Sequence, residues 1–341
     1  MRAFVTGGSG FLGSHIVDAC LARGDSVRAL VRPTSDTAYL RSLAEVELVV
    51  GDLSDEGALV SALGGIDVVY HSAARVLDYG SRAEFLEANV HGTTRLLAAA
   101  KRAGVPRFVF ISSPSVVMAG ADQVDVDESA PYPDRYLNLY SETKAIAERA
   151  VLAANEPGFT TCALRPRGVW GPRDLQGAMP KMVKRMHDGK LPNVSGGKRT
   201  VASICYCENA AEACMLAARS DRVGGKAYFV ADAEPIDVWA FCDELAARFQ
   251  VPPIARTLSP RVLWVLATVL DVVWRLPFLA HKRSPPMSRY LASLLIHSAT
   301  YDLSAARRDF DYAPIVDRET GFKRIERWLG EGGPALFYAH L

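Results

Sequence analysis

The stretch Arg2-Ala-Phe-Val-Thr-Gly-Gly-Ser-Gly-Phe-Leu-Gly13 decides the fold. Ala3-Phe4-Val5 reads as a strand, the glycines as a turn, and Phe11 to Arg23 as an amphipathic helix. Gly7, Gly10 and Gly13 make a GxxGxxG pattern. Such spacing serves a tight turn, close backbone approach to a pyrophosphate, and close packing of helix on strand. The helix start then offers free amides and the positive end of its dipole to phosphate. A glycine motif alone is a weak signal. Set between a strand and an amphipathic helix, it marks a dinucleotide-binding turn.

Working outward, Val27 to Val31, Val46 to Val50, Val68-Val69-Tyr70, Phe108 to Ile111 and Thr161 to Leu164 are further β-branched or apolar runs. Strands buried on both faces have this composition. Helical stretches lie between them at Glu56 to Leu63, Glu84 to Arg102 and Tyr136 to Ala154, with Gly24 and Gly104 placed to stop a helix. The alternation predicts an α/β fold, a Rossmann-type doubly wound parallel sheet with right-handed crossovers. After Arg165 the pattern breaks into a cluster of Pro and Gly. Strands are expected again at Lys198 to Cys205 and Lys226 to Val230, then a helix at Val238 to Phe249. The expected organisation is a dinucleotide-binding domain over 1–170, with strands returning from about 198–232. A smaller, mostly helical and discontinuous substrate lobe takes 171–341.

The chain has 341 residues, 49% of them apolar and 23% charged, which argues against general disorder. Its 39 basic residues nearly cancel 38 acidic ones, so no attraction to nucleic acid is expected of the whole surface. The first residues form a strand-like run without a signal-peptide core, and the six cysteines include no CxxC pair. Both point to buried thiols in the cytoplasm and no metal site. If Cys205 and Cys207 share a strand, their side chains take opposite faces.

One segment, Val262 to Ala280, is apolar for nearly the length of a bilayer span. Asp271 and Arg275 interrupt it four residues apart, where they can pair on a helix, and Pro277 breaks it. Two central charges argue against a span. A buried helix, a hydrophobic lid over a pocket, and a helix lying in a membrane interface remain open. The last draws on His281-Lys-Arg283 and Arg289, which follow closely.

Tyr140 and Lys144 stand four apart on a predicted helix and therefore share a face. A tyrosine with an ordinary pKa of about 10 is a poor acid or base at neutral pH. A lysine cation beside it, with the positive charge of an oxidised nicotinamide, is expected to draw its pKa down. Ser112-Ser113 ends the fifth strand, at the sheet edge where open α/β sheets bind ligands. Asp52, just past the third strand, suits adenine recognition. The second strand ends at Val31-Arg32, where a carboxylate ordinarily holds the ribose. An arginine there suits a 2′-phosphate, which favours NADP(H) while leaving NAD(H) open.

TGGSGFLG (6–13), VYHSAA (69–74), NVHGTTRLLAAAKRAGVPRFVFISS (89–113), YSETKAIAERAV (140–151) and LRPRGVWGPRD (164–174) resemble the extended short-chain dehydrogenase/reductase superfamily. They are closest to its 3β-hydroxysteroid dehydrogenase branch. The resemblance covers about residues 1 to 250, and GGKAYFVADAEPIDVWAF carries it into the lobe. Pro114-Ser115-Val116, the run 143–155 and Trp170 are most similar to 2-alkyl-3-oxoalkanoate reductases. Asp174 is similar to sterol-4α-carboxylate 3-dehydrogenases. The resemblance implies Ser113, Tyr140 and Lys144 as the catalytic set. It further implies Gly7, Gly10, Phe11, Leu12, Gly13, Asp52, Leu53, Ala73, Tyr140, Lys144, Pro166 and Val169 around the cofactor, where Arg32 departs from NAD-type members. Asn89 and His71 are expected to be structural, and Asp125, Asp127 and Glu128 to form a solvated loop.

The expected activity interconverts a 3-hydroxy and a 3-keto group on a large hydrophobic substrate. Arg167 or Arg173 is a candidate to meet a substrate carboxylate. A nucleotide-sugar epimerase or dehydratase and a non-catalytic NADP-binding scaffold are the alternatives. Expected partners are a hydrophobic small molecule, a second copy in a homodimer, and a membrane surface through 262–283.

Overall fold

The computed structural model describes residues 1–76, 80–274, 276 and 285–331. Its centre is a seven-stranded parallel sheet in the order β11-β7-β5-β4-β1-β2-β3. These strands are β1 (Arg2–Thr6), β2 (Ser26–Val31), β3 (Val46–Val50), β4 (Val68–His71), β5 (Arg107–Ile111), β7 (Thr160–Pro166) and β11 (Lys226–Val230). The order reverses at β1, whose neighbours are β2 on one side and β4 on the other. That reversal opens a crevice at the carboxyl ends of the strands. The doubly wound sheet read from the alternation is therefore present.

Strand periodicity sorts the core. Ala3, Val5, Val68, Tyr70, Val109 and Ile111 face one layer, where α1 (Phe11–Ala22) and α8 (Cys207–Ala217) cover them. Phe4, Val69, Phe108 and Phe110 face the other layer. There α3 (Glu56–Ala62), α5 (Gly92–Arg102) and α6 (Leu139–Ala153) cover them. Gly24 and Gly104 adopt positive φ of 72° and 73° just past α1 and α5, as the stop positions require. A separate core around Trp170, Val183, Trp239, Leu245, Leu263 and Phe322 belongs to the C-terminal part.

Several elements differ from the sequence reading. The helix expected at Glu84 to Arg102 begins at Arg82 under a Ser81/Glu84 capping box. It widens into a π-turn over Leu86–His91 before α5. The strand expected at Lys198 to Cys205 is two short pieces, β9 (Val201–Ala202) and β10 (Cys205–Tyr206), in different sheets. Between them Ser203 N donates to Ala299 O at 2.9 Å and Asp232 N to Ile204 O at 2.7 Å, which turns the chain. Cys207 starts α8, so it does not share a strand with Cys205. Val126 closes β6 (Gln123–Val126), which pairs with β13 (Ala299–Tyr301). The acidic stretch is thus partly strand and not wholly loop. Its partner lies over 170 residues away, out of reach of any local pattern.

The apolar segment forms α10 (Pro260–Val273). Only Leu263 and Ala267 of that helix are buried, so it is not a core helix. Asp271 accepts from Arg289 Nε at 2.9 Å. Arg275, Pro277 and the basic run 281–283 lie outside the described residues. Among the described residues no helix is long and apolar enough to cross a membrane.

Candidate active site

Parallel strands deliver their carboxyl ends to one edge, and the sequence-derived candidates stand there. Gly7 follows β1, Arg32 follows β2, Asp52 lies two residues past β3, Ala73 two past β4, and Ser113 two past β5. Pro166 ends β7, and Val169 opens β8 (Val169–Trp170).

Two positions of the glycine turn, Gly7 and Gly13, are sterically closed to any side chain. Gly7 has φ +73°, and a Cβ there would stand 2.8 Å from Ala73 N. A Cβ on Gly13 would stand 1.9 Å from Gly7 O. The turn and α1 are in direct contact, and Ala73 lies against the turn at Gly7. Gly10 is the N-cap of α1, and no side chain caps that end. The amides of Phe11, Leu12 and Gly13 therefore point from an open helix start, the geometry that receives a pyrophosphate. These residues fit a dinucleotide.

At the adenosine end, the Arg32 side chain is exposed and has no hydrogen-bond partner among the described residues, while its backbone N–H donates to Ser35 Oγ at 3.1 Å. Asp52 Oδ1 accepts from Ser54 N at 2.9 Å and leaves its other oxygen to solvent. Leu53 packs on Gly92, where a Cβ would meet it at 3.1 Å.

At the other end, α6 presents Tyr140 and Lys144, its start fixed by Asn138, whose Oδ1 accepts from Ser141 N at 2.9 Å. Ser113 N-caps a short 3-10 turn, Pro114–Val117, its Oγ accepting from Ser115 N at 3.2 Å, and its side chain neighbours Tyr140. Ser112 is instead buried, its N–H extending the sheet to Leu164 O at 2.6 Å. The geometry selects Ser113 over Ser112 as the neighbour of the tyrosine.

Lys144 is 2% exposed, donates to Ile111 O at 2.5 Å and sits 3.8 Å over the Phe110 ring. Burial holds its pKa down to about 7, against a smaller upward pull from Glu148. Tyr140 is shifted upward by burial, which the neighbouring Ser113 hydroxyl partly offsets. Without the cofactor's charge the lysine does not draw the tyrosine down: burial sets the direction of the shift, and the ammonium group is aimed at Ile111 rather than at the phenol.

Other candidates resolve as structural. His71 is fully buried between Thr6 Oγ1 at 2.7 Å and Thr93 Oγ1 at 2.9 Å. Burial, then the Lys144 charge, depress its pKa to about 3, so it is neutral. Asn89 accepts from Arg75 N at 2.7 Å and donates to Thr143 Oγ1 at 3.0 Å, tying the loop after β4 to α6. Asp127 holds Ser129, and Glu128 Oε1 accepts from Phe229 N at 2.7 Å. Asp174 is buried, with Oδ1 accepting from Gly177 N at 2.7 Å and its pKa raised by burial to about 6. Arg173 does not await a carboxylate: it donates to Asp18 at 2.5 Å and lies 4.2 Å over the Tyr39 ring. Arg167 donates to Ser203 O at 2.7 Å.

The sequence reading missed the buried pair behind the site. Arg165 NH2 donates to Glu148 Oε1 at 2.7 Å, and Tyr132 OH donates to the same oxygen at 2.6 Å. Glu148 follows Lys144 by four residues, so the face it shares was readable, but its partner on β7 was not.

A seven-stranded parallel sheet with an open glycine turn beside its switch point defines a Rossmann-type dinucleotide-binding protein. The chain belongs to the 3-beta hydroxysteroid dehydrogenase/isomerase family, whose model matches residues 4–260. It is accordingly an NAD(P)-dependent oxidoreductase working between CH–OH and C=O, which sets aside the non-catalytic scaffold. A 2-alkyl-3-oxoalkanoate reductase of Stenotrophomonas maltophilia is 35% identical over 333 residues, 96% of this chain and 98% of that one. The human sterol-4-alpha-carboxylate 3-dehydrogenase, decarboxylating, is 31% identical over 336 residues, 95% of this chain and 87% of that one. Among solved structures, a dTDP-glucose 4,6-dehydratase of Streptomyces venezuelae with NAD bound superposes with a TM-score of 0.76 over 98% of each chain. At 24% identity that likeness is one of fold.

Proposed function

We propose that this chain interconverts a 3-hydroxy and a 3-keto group on a large hydrophobic substrate, of the 2-alkyl-3-keto acid or sterol type, with NADP(H) preferred. One observation carries the chemistry. Tyr140 and Ser113 stand side by side at the carboxyl edge, with Lys144 buried one helical turn along from the phenol. When bound, nicotinamide supplies the hydride for reduction or takes it in oxidation. In reduction, Tyr140 Oη gives its proton to the substrate oxygen as the carbonyl carbon becomes tetrahedral. Ser113 Oγ donates a hydrogen bond to that oxygen and holds it beside the phenol. Lys144, once charged, lowers the cost of leaving a phenolate on Tyr140.

The substrate class rests on the named relatives, whose names place a reduction (3-oxoalkanoate reductase) or an oxidation (4-alpha-carboxylate 3-dehydrogenase) at a 3-position near a carboxylate. The cofactor preference rests on Arg32, an exposed cation whose side chain has no partner among the described residues, where an acidic residue ordinarily meets the ribose. A cofactor-oxidation screen with NADPH and NADH against 2-alkyl-3-keto acids and keto-steroids tests both. Tyr140→Phe is expected to keep cofactor binding and lose roughly 10²- to 10⁴-fold in turnover, the span of a single acid–base group. Near wild-type rates in that variant would refute the tyrosine mechanism.

A further inference from the structure

The turn that carries Ser113 is weakly held by its own backbone. Pro114–Val117 is a single 3-10 turn, in which Val116 N donates to Ser113 O at 3.2 Å and Met118 N to Ser115 O at 3.3 Å. Both bonds are at or beyond the long end of the usual range, as the poorer geometry of such turns predicts. The position of the serine therefore depends on what grips the turn from outside. One grip is a side chain from β6: Gln123 Nε2 donates to Val117 O, the last carbonyl of the turn, at 2.9 Å.

Gln123 is itself held from the C-terminal part of the chain. Tyr301, on β13, donates from its hydroxyl to Gln123 Oε1 at 3.1 Å, across a separation of 178 residues. An amide fixed through its oxygen presents its NH2 on the other side, so the phenol sets which way Gln123 faces. Tyr301 is 6% exposed. Burial raises its pKa against a smaller downward pull from Arg167, so the hydroxyl keeps its proton and stays a donor. The Tyr301 ring also stacks on Phe229, with centroids 4.2 Å apart and planes at 17°. Arg165 lies over that Phe229 ring at 5.1 Å, and its ion-pair partner is Glu148 of the helix bearing Tyr140. One phenol thus reaches the turn of Ser113 through Gln123, and the helix of Tyr140 through a chain of packed side chains.

We propose that Tyr301 is a positioning residue for the reaction, holding Ser113 where its hydroxyl and that of Tyr140 meet one substrate oxygen. The inference rests on the roles proposed above for Ser113 and Tyr140. It gives the pairing of β6 with β13 a function, since the returning C-terminal strand then completes the catalytic edge. Tyr301 acts through Gln123 and the turn, so its loss is expected in kcat and not in cofactor affinity. A tyrosine that served the fold alone would not single out the serine.

The test is a double-mutant cycle on the full chain, Tyr301→Phe with Ser113→Ala, read as kcat for oxidation of a 2-alkyl-3-hydroxy acid by NADP at saturating cofactor. Tyr301→Phe removes one hydroxyl and keeps the stack on Phe229. It is expected to lose roughly 10- to 100-fold in kcat, the scale of a misplaced reacting group, with cofactor affinity unchanged. In the Ser113→Ala background the same substitution is expected to cost less than about twofold, because residues that act as one unit do not add. Amide exchange across 114–118, measured without substrate or cofactor, is expected to rise in Tyr301→Phe. Gln123→Met should reproduce these effects, and it takes the place of Tyr301→Phe in the cycle if thermal melting shows that variant unfolded. Undiminished kcat, losses that multiply in the double variant, or unchanged amide exchange would each overturn the proposal. Full activity in Ser113→Ala would instead refute the serine's proposed role, and this inference falls with it. The exchange measurement separates the two failures, since it involves no turnover.

Discussion

At the scale of single residues, the position of Arg32 makes a prediction that is independent of turnover. Its side chain is exposed and stands one residue past β2. If it meets a 2′-phosphate, Arg32→Ala should weaken NADPH by roughly 1.5–3 kcal/mol, the value of a hydrogen bond to a charged group, and leave NADH nearly unchanged. Equal losses on both cofactors, measured by fluorescence titration, would show that the arginine reads another feature. Ser113 shows how far residue types carry. A serine at the end of β5 was legible from the strand pattern. Which of two adjacent serines faces Tyr140 depended on the 3-10 turn that Ser113 caps. The direction of the Tyr140 shift was not legible either, because desolvation depends on neighbours from other parts of the chain.

At the scale of elements, the strand–turn–helix unit is the most demanding part of the fold. Gly13 has no room for a methyl group, since its Cβ would lie 1.9 Å from Gly7 O. That atom is backbone, so relief requires the turn or α1 to move. Gly13→Ala is expected to cost about 1–3 kcal/mol in folding stability, the range for overpacking, and to weaken cofactor binding by at least tenfold as the amides leave their positions. Urea unfolding and cofactor titration of one preparation give both values. An unchanged cofactor affinity would mean that the helix start does not hold the phosphates. Behind α6, the Arg165–Glu148 pair is 2% and 0% exposed and ties the catalytic helix to β7. Removing one partner of such a pair leaves a buried charge, so Glu148→Ala should cost about 3–5 kcal/mol. A loss below 1 kcal/mol by urea unfolding would show that the arginine finds another partner or water.

At the scale of the whole molecule, pH tests the way the two faces of the sheet are sealed. His71 is neutral in the fold, with its pKa depressed to about 3 by burial and the Lys144 charge, against an ordinary value of 6.5. Between these values the unfolded chain binds a proton that the folded chain does not. Its contribution is fully present above pH 6.5 and is lost as pH falls towards 3. His15, held near 4 by burial and the Arg173 charge, works in the same sense. Stability should therefore fall on acidification from pH 6.5. In His71→Gln the slope should shrink by one proton, about 1.4 kcal/mol per pH unit. Identical slopes in urea titrations at pH 5 and 6 would contradict a neutral, sealed histidine.

The sequence by itself determined the layered sheet, the glycine turn and the helix bearing Tyr140 and Lys144. Each of these rests on local chemistry: apolar runs buried on both faces, glycines where backbone must approach backbone, and side chains repeating every helical turn. Tertiary structure alone decided what depends on partners distant in the chain. It paired β6 with β13, which lie over 170 residues apart, and set Glu148 against Arg165. It gave Arg173 partners within the fold, Asp18 and the Tyr39 ring. It also divided α10 into a buried face and a bare one, because composition states how apolar a helix is, and packing alone states which side of it is covered.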